Sequence, residues 1–145
     1  MINTLFIGSV CACFELENTS AYYNDSEYSV TLDGEKLFSA NTNVFSLFDL
    51  KPEREYTLEV SGQETLKFTT AKETCAVNVK DFGAVGDGKA DDTLSIQTAV
   101  NCLPAGGRLY IPEGVYNIAP INLKSHITVE ISEKAVLLGI TDTKR

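Results

Sequence analysis

The sequence predicts a mostly β protein made of two units, a small β-sandwich followed by one helix and the first coils of a solenoid. Short alternating segments separated by turn residues recur before residue 72, which is typical of a sandwich. One helical pattern follows at residues 93–103, and brief period-two segments then continue to residue 138. A length of 145 residues accommodates two small domains of this kind.

The charge composition also changes near residue 72. Residues 1–72 hold 11 acidic and 5 basic side chains, whereas residues 73–145 hold 9 and 7. The net charge of −8 argues against nucleic acid as a partner, because binding phosphates requires clustered Lys and Arg. No apolar run approaches the roughly 18 residues of a membrane-spanning helix. We therefore expect a sandwich at 1–72, a linker at 73–80, and a cap with the first coils at 81–145, with neither nucleic acid nor membrane as a partner.

The first unit begins with the apolar stretch 5–14, LFIGSVCACF. It resembles the apolar part of a signal peptide, but no Lys or Arg precedes it and acidic Glu15 and Glu17 follow at once. We interpret it as a pair of strands. Asp33-Gly34 is a two-residue turn signal between strands. The other predicted strands of this unit are 28–32, 35–39, 44–48, 56–60 and 65–69.

Four cysteines and one histidine limit the metal chemistry. Cys11 and Cys13 are two residues apart, so in a strand they share a face and are badly placed to bridge each other. No C-x-x-C pair is present, and His126 is the only imidazole, so we predict no metal site. Free, mostly buried thiols at Cys11, Cys13, Cys75 and Cys102 favour a reducing, cytoplasmic compartment.

The segment from Leu50 to Val60, LKPEREYTLEV, resembles the fibronectin type III module in its Leu-x-Pro-x-x-x-Tyr run before a strand. The following LKFTTA resembles the last strand of that module. The resemblance implies that Tyr56 is a corner residue, whose ring packs in the core while its hydroxyl bonds to upstream backbone. The module's usual core Trp is absent, and Phe14 or Leu16 is expected to fill that volume.

The second unit opens with a glycine-rich loop at residues 83–88 and continues into a helix. Three glycines in six residues indicate a tightly turning chain. Positions 96, 99, 100 and 103 form an apolar helix face, and Pro104 with Gly106-Gly107 ends the helix. Asp91 or Asp92 stands at the expected N-cap, near the positive end of the helix dipole.

Five very short strands are predicted after the helix. A doubly wound sheet would need a helix between its parallel strands, so this order does not suit one. It favours a solenoid whose open end is covered by the helix. The predicted strands are 109–111, 115–118, 121–123, 127–131 and 135–138.

Three runs carry a second resemblance, covering residues 77 to 142. DFGAVGDGKADDT, GGRLYIPEGVY and PINLKSHITVEISEKAVLLGITD resemble the amino-terminal part of the pectate-lyase-like β-helix superfamily. The last run narrows the resemblance to glycoside hydrolase family 28, the polygalacturonases, bacterial members of which also carry a preceding β-sandwich. The resemblance implies a right-handed parallel β-helix. It also implies inverting hydrolysis of α-1,4-galacturonan, so the implied partner is pectin or polygalacturonate.

Asp91-Asp92 invites a catalytic interpretation, since two carboxylates perform glycoside hydrolysis. Adjacent side chains at a helix start diverge, however, and local capping explains both acids. In the family, the catalytic aspartates lie on later coils in Asn-Thr-Asp and Asp-Asp motifs, followed by Gly-His-Gly and Arg-Ile-Lys. Asn-Thr-Asp, Gly-His-Gly and Arg-Ile-Lys do not occur here, and Asp91-Asp92 precedes the coils instead of lying on a later one. His126 is expected to be a turn residue, and GAVGDG lacks the Lys-Ser/Thr of a phosphate loop. We predict no catalytic, substrate-binding or metal residues and no cofactor within the chain.

Three functions remain open. The chain is expected to be an amino-terminal fragment of a polygalacturonase, with the catalytic aspartates downstream. The alternatives are a non-catalytic fragment that binds carbohydrate or protein, and a structural β-helix of the tailspike kind. Taken alone, the chain is expected to fold poorly or to self-associate beyond about Val115, because residues 136–138 lack a next coil to cover them.

Overall fold

A computed structural model of the chain describes residues 1–18 and 20–141. The chain divides after Lys72 into two compact units. The residues at 142–145 that the sequence assigns to the second unit lie outside the described part, as does the end of the family resemblance at Asp142.

The first unit is a sandwich of two antiparallel sheets. Its strands are β1 (Ile2–Ile7), β2 (Ala12–Leu16), β3 (Tyr23–Leu32), β4 (Glu35–Thr42), β5 (Val44–Leu47), β6 (Glu55–Val60) and β7 (Leu66–Thr69). One sheet has the order β1-β2-β5 and the other β4-β3-β6-β7. The apolar stretch near the start forms the antiparallel pair β1 and β2, as predicted.

Aromatic rings fill the interior of the sandwich. Phe14 is fully buried, and its ring centroid lies 5.7 Å from that of Phe45 and 5.1 Å from that of Phe68. Tilted and edge-to-face contacts at this spacing are favourable for aromatic pairs. Phe14 thus takes the central volume that the sequence left without a Trp.

Tyr56 forms the corner that its position predicts. Its hydroxyl oxygen accepts a hydrogen bond from the backbone N–H of Lys51 at 2.8 Å. Its ring stacks on Phe68 with centroids 5.7 Å apart, and the Arg54 guanidinium lies 4.7 Å from its centroid on the ring face. The side chain therefore ties the segment before β6 to the core of the sandwich.

The second unit contains six short strands, a 3-10 helix and one α-helix. They are β8 (Ala76–Asn78), the 3-10 helix (Val79–Phe82), β9 (Asp87–Asp91), α1 (Thr93–Cys102), β10 (Arg108–Ile111), β11 (Gly114–Ile118), β12 (Thr128–Ile131) and β13 (Ala135–Gly139). Two parallel sheets result, with the orders β12-β10-β8 and β13-β11-β9. The chain alternates between the sheets, so that β8 with β9, β10 with β11, and β12 with β13 make three stacked turns.

The strand register aligns apolar residues of successive turns with one another. Leu109 of β10 is paired with Val77 of β8 on one side and with Val129 of β12 on the other. Leu109 is fully buried, and the two valines pack against the same core cluster. The mostly β prediction is confirmed, and the parallel turns are those of the beginning of a β-helix.

Helix α1 packs against the first of these turns. Its predicted apolar face is buried, with Ile96, Ala99 and Val100 inaccessible and Leu103 following just after the helix. The helix also contacts the 3-10 helix that follows β8. Amine Nζ of Lys124 donates to the carbonyls of Asn101 and Leu103, which satisfies acceptors left free at the helix end.

Residues 73–80 are not a linker, which corrects the sequence prediction. Ala76–Asn78 is a strand that pairs with β10, and Val79 is completely buried. The physical reason is that β10 would otherwise present an unpaired edge, and this segment supplies the parallel partner.

The predicted strand at 121–123 does not form. Gln97 of α1 takes the place of a neighbouring strand. Its side chain accepts a hydrogen bond from Asn122 N–H at 2.7 Å and donates one to Asn122 C=O at 3.0 Å. A helix side chain thus satisfies the backbone that a neighbouring strand would have satisfied. The sequence analysis also missed β9, because its run of Asp, Gly and Lys has low strand propensity.

The four cysteine side chains are not mostly buried. Cys11, Cys13 and Cys75 are partly exposed and Cys102 is exposed. Cys102 lies in the last turn of α1, whereas the residues that α1 buries are Ile96, Ala99 and Val100. The expected burial is therefore wrong.

We predict that Tyr56→Phe lowers the free energy of unfolding of the first unit by about 0.5–1.5 kcal/mol, because the Lys51 N–H loses its acceptor while the ring stays in place. Denaturant titration measures the change. The matched control is Tyr22→Phe, since Tyr22 is 78% exposed and should change stability by about zero. Equal effects of the two substitutions would contradict the corner role.

The outer edge of the last turn generates a second prediction. Val136 and Leu138 of β13 are each 49% exposed and β12 and β13 have no further strand beside them among the described residues. We expect the 145-residue chain to associate as its concentration rises, because open strand edges pair with other chains. Sedimentation velocity measures this. Val136→Lys with Leu138→Lys should reduce association, and Leu94→Lys on the exposed side of α1 should not. A strict monomer with strong hydrogen-exchange protection throughout 115–140 would contradict the prediction.

Candidate functional site

Asp92 occupies the N-cap position of α1, yet its side chain does not cap the helix. Oδ1 accepts from Val85 N–H at 2.7 Å and Oδ2 accepts from Gly86 N–H at 3.0 Å. The residue is 1% exposed. The capping prediction is therefore wrong for this side chain, because the glycine loop lies over the helix start and its two N–H groups take both carboxylate oxygens.

Asp91 is exposed and its side chain does bond locally. Its Oδ1 accepts from both the backbone N–H and the hydroxyl of Thr93. Thr93 Oγ1 in turn accepts from Ala119 N–H at 2.8 Å. The two adjacent carboxylates therefore diverge, as expected, with Asp92 pointing into the protein and Asp91 lying on its surface.

Gly86 allows the loop to approach β11 closely. Its φ is 69°, and a Cβ atom there would lie 2.9 Å from the ring of Tyr116. Tyr116 is fully buried and its hydroxyl donates to Pro112 C=O at 2.9 Å. Burial, followed by the negative charge of Asp92, raises the pKa of Tyr116 above its usual range. The ring therefore stays neutral and acts as a wall against which the loop packs.

Asp87 belongs to the same loop but faces solvent. Its Oδ1 accepts hydrogen bonds from Ala90 N–H at 2.8 Å and from Lys89 N–H at 2.9 Å. These two bonds, that from Ala90 first, hold the pKa of the Asp87 carboxyl below its usual value. A general acid for glycoside hydrolysis needs a raised pKa, so this shift is in the wrong direction for that role.

Arg108 is the central charge on the sheet formed by β8, β10 and β12. Its Nε donates to Glu73 at 2.9 Å, and Nη1 donates to Glu130 of the next turn. The hydrogen bond with Glu73 is the largest cause that raises the pKa of Arg108 above its usual value. Because two carboxylates already compensate the guanidinium, it has little positive charge to offer an anionic sugar.

The sequence analysis missed this ion-pair row. The sequence signal that could have found it is the repeat of short strands from one turn to the next. That repeat aligns Glu73, Arg108 and Glu130 only when residues 73–80 are assigned to the first turn. Treating those residues as a linker hid Glu73.

His126 lies in a turn, as expected, with φ of 60°. Its backbone carbonyl accepts from Gly106 N–H at 2.6 Å, which joins two neighbouring loops. Within residues 1–18 and 20–141, no group of three or more His, Cys, Asp or Glu side chains is arranged to hold a metal ion. No helix in the described residues is long and apolar enough to cross a membrane.

The acids of this region are thus engaged by backbone donors rather than pointed into a cleft. Asp92, with both oxygens bonded and almost no exposure, cannot reach a substrate. Asp87 and Asp91 accept bonds from residues two or three positions later. These hydrogen bonds hold the glycine loop and the start of the helix against the first turn of the solenoid.

We predict that Asp92→Ala lowers the free energy of unfolding by about 3 kcal/mol, because the partly buried N–H groups of Val85 and Gly86 lose a charged acceptor. The matched control Asp91→Ala should cost about 1 kcal/mol or less, since its neighbours can bond to water. Thermal and urea unfolding followed by circular dichroism measure both. A larger loss from Asp91→Ala than from Asp92→Ala would overturn this assignment.

Residues 76–130 match a protein-family model described as rhamnogalacturonase A/epimerase, pectate lyase-like. Exo-poly-alpha-D-galacturonosidase of Dickeya chrysanthemi is 36% identical over 79 residues, covering 54% of this chain and 13% of that protein. Plasmin and fibronectin-binding protein A of Streptococcus pneumoniae is 47% identical over 71 residues, covering 46% of this chain and 10% of that protein. The chain therefore spans only about a tenth of the length of these curated relatives.

A solved structure, the family 28 exopolygalacturonase of Yersinia enterocolitica, matches 97% of this chain and 31% of its own length. The TM-score is 0.67 at 23% sequence identity, a likeness that establishes the fold. The chain thus has the fold of part of a family 28 exopolygalacturonase, and its residues 76–130 are similar to the pectate-lyase-like family.

Proposed function

We propose that this chain is the amino-terminal part of a polygalacturonase-like glycoside hydrolase that acts on pectin or polygalacturonate by inverting hydrolysis. The observation that carries the proposal is that the fold and the sequence similarity agree over the same stretch of the chain. The parallel turns that begin at β8 coincide with the stretch that matches the pectate-lyase-like family. The galacturonosidase of Dickeya chrysanthemi supports the choice of substrate.

In this proposal the chain begins the solenoid and contributes no reacting group. Inverting hydrolysis needs one acid to protonate the leaving oxygen and a base, about 6.5–9.5 Å away, to activate water. Asp91 and Asp92 do not supply that pair, since one is bonded to Thr93 and the other is buried under the glycine loop. The catalytic aspartates are placed on coils that follow β13, whose open edge offers the next strand its hydrogen-bonding partners.

The first unit is proposed to be a fibronectin type III-like module. The hydrogen bond between Tyr56 and the upstream Lys51 backbone supports this, because a tyrosine corner is characteristic of such sandwiches.

A second candidate is a fragment whose role is to bind protein. The observation that favours it is the 47% identity to a protein whose name describes plasmin and fibronectin binding. The discriminating feature is the sequence that follows: a binding protein needs no pair of aspartates on later coils.

The experiment is to read the coding sequence beyond codon 145 and assay the complete product on polygalacturonate for new reducing ends. Because the matched family model is also described as an epimerase, NMR of the product should check the configuration at C5. New reducing ends with unchanged C5 configuration support the hydrolase. Epimerised sugar, or binding of plasmin or fibronectin without turnover, would overturn it.

We predict that the 145-residue chain alone releases no reducing ends from polygalacturonate, because Asp91 and Asp92 do not form a catalytic pair and the sequence has no Asn-Thr-Asp motif. In the longer protein, Asp91→Ala should leave kcat per folded molecule near that of the parent. Replacing the aspartic acid of a downstream Asn-Thr-Asp motif with Asn should abolish turnover. Turnover by the pure 145-residue chain that Asp91→Ala removes would show that the active site had been placed wrongly.

A further inference from the structure

The first unit carries an open groove of about 390 Å³ at the point where β4 passes into β5. Tyr22 and Tyr23 line it, together with residues that include Glu15, Thr42 and Val44. Tyr22 is 78% exposed and Tyr23 58% exposed, although the same unit buries Tyr28 and Tyr56. Two neighbouring aromatic rings left in solvent beside a groove are typical of a binding surface, since aromatic residues are enriched at protein interfaces.

The backbone that carries these rings is held in place. Asn43, which is buried, donates from its backbone N–H to Tyr22 C=O at 2.9 Å and from its side chain to Ser20 C=O at 2.6 Å. Asn18 donates to Tyr23 C=O at 2.7 Å. The rings are thus exposed on a backbone that is already ordered, which lowers the entropy cost of binding a partner.

The charged side chains that line this groove and the cavity beside it are acidic. Residues 2–35 contain six acidic side chains and no Lys or Arg. Glu15 lines the groove itself, and Asp25 and Glu27 line a neighbouring polar cavity of about 360 Å³ along the same pair of strands, β3 and β4. An anionic polysaccharide would be repelled by this field, whereas a cation would be attracted.

We propose that this groove binds a basic segment of a partner protein, with an Arg or Lys side chain lying against the rings of Tyr22 and Tyr23. Guanidinium and ammonium groups are attracted to the faces of tyrosine rings, and Glu15 supplies the opposing charge. The groove is at the edge of the first unit's own strands, so the inference stands whether or not the second unit belongs to a hydrolase.

The test uses the 145-residue chain and a peptide of alternating Arg and Gly as probe, at about 150 mM salt to screen diffuse attraction. The same peptide with citrulline in place of Arg keeps the shape and removes the charge. Amide chemical shifts by NMR should change at residues 15, 21–23 and 42–44, and citrulline should weaken binding about tenfold.

Two pairs of variants separate the groove from general acidity. Tyr22→Ser with Tyr23→Ser should weaken binding about tenfold, whereas Phe48→Ser, at a ring 70% exposed and outside the groove lining, should not. Glu15→Gln should weaken binding, whereas Glu59→Gln, with the same change in net charge, should have little effect. Circular dichroism checks that each variant is folded.

Three outcomes would overturn the proposal. Equal effects of Glu15→Gln and Glu59→Gln with no effect of the tyrosine changes would mean non-specific attraction to an acidic protein. Shift changes confined to residues outside the groove would place the binding elsewhere. Binding of cellohexaose through Tyr22 and Tyr23, with none of the Arg peptide, would make the groove a site for neutral sugar.

Discussion

The buried carboxylate of Asp92 is the contact on which the second unit depends. Asp92 joins three parts of the chain. Its carboxylate oxygens accept hydrogen bonds from the glycine loop. Its backbone N–H donates to Asn117 C=O of β11 at 2.9 Å, and its backbone C=O accepts from Ile96 N–H of α1. A buried charge is costly unless its hydrogen bonds are made, and here both oxygens have partners. These hydrogen bonds hold the loop, the start of the helix and the second turn together.

The same contact explains why the loop is rich in glycine. The loop must lie close enough to donate two N–H groups to Asp92 and must also fit against the ring of Tyr116. Gly86 meets both demands, since its N–H bonds to Asp92, its C=O accepts from Val115 N–H at 2.9 Å, and a side chain at this position would strike the ring. Of the acidic pair at the helix start, which in isolation resembles catalytic machinery, Asp92 therefore has a structural role in the first turn of the solenoid.

The two units present different chemistry to their surroundings. On the second unit, the guanidinium of Arg108 is compensated by Glu73 and Glu130, and the carboxylates of Asp87 and Asp92 accept hydrogen bonds from backbone N–H groups. On the first unit, Tyr22 and Tyr23 remain in solvent on a fixed backbone beside Glu15. The proposed hydrolase therefore depends on coils that follow this chain, whereas the proposed binding of a basic segment depends only on residues within it.

The sequence by itself determined the elements with strong local signals. Alternation with turn residues placed most strands of both units, the spacing of Ile96, Ala99 and Val100 gave the helix face, and the run before Tyr56 gave the corner. Only the tertiary structure decided the partners. Strand β8 has three residues, too few to show an alternating apolar pattern. The Gln97 side chain takes the place of a strand at Asn122. The Asp92 side chain accepts hydrogen bonds from the glycine loop instead of capping its own helix. Each of these depends on groups far apart in sequence whose buried hydrogen bonds must be satisfied, and local patterns carry no record of such distant partners.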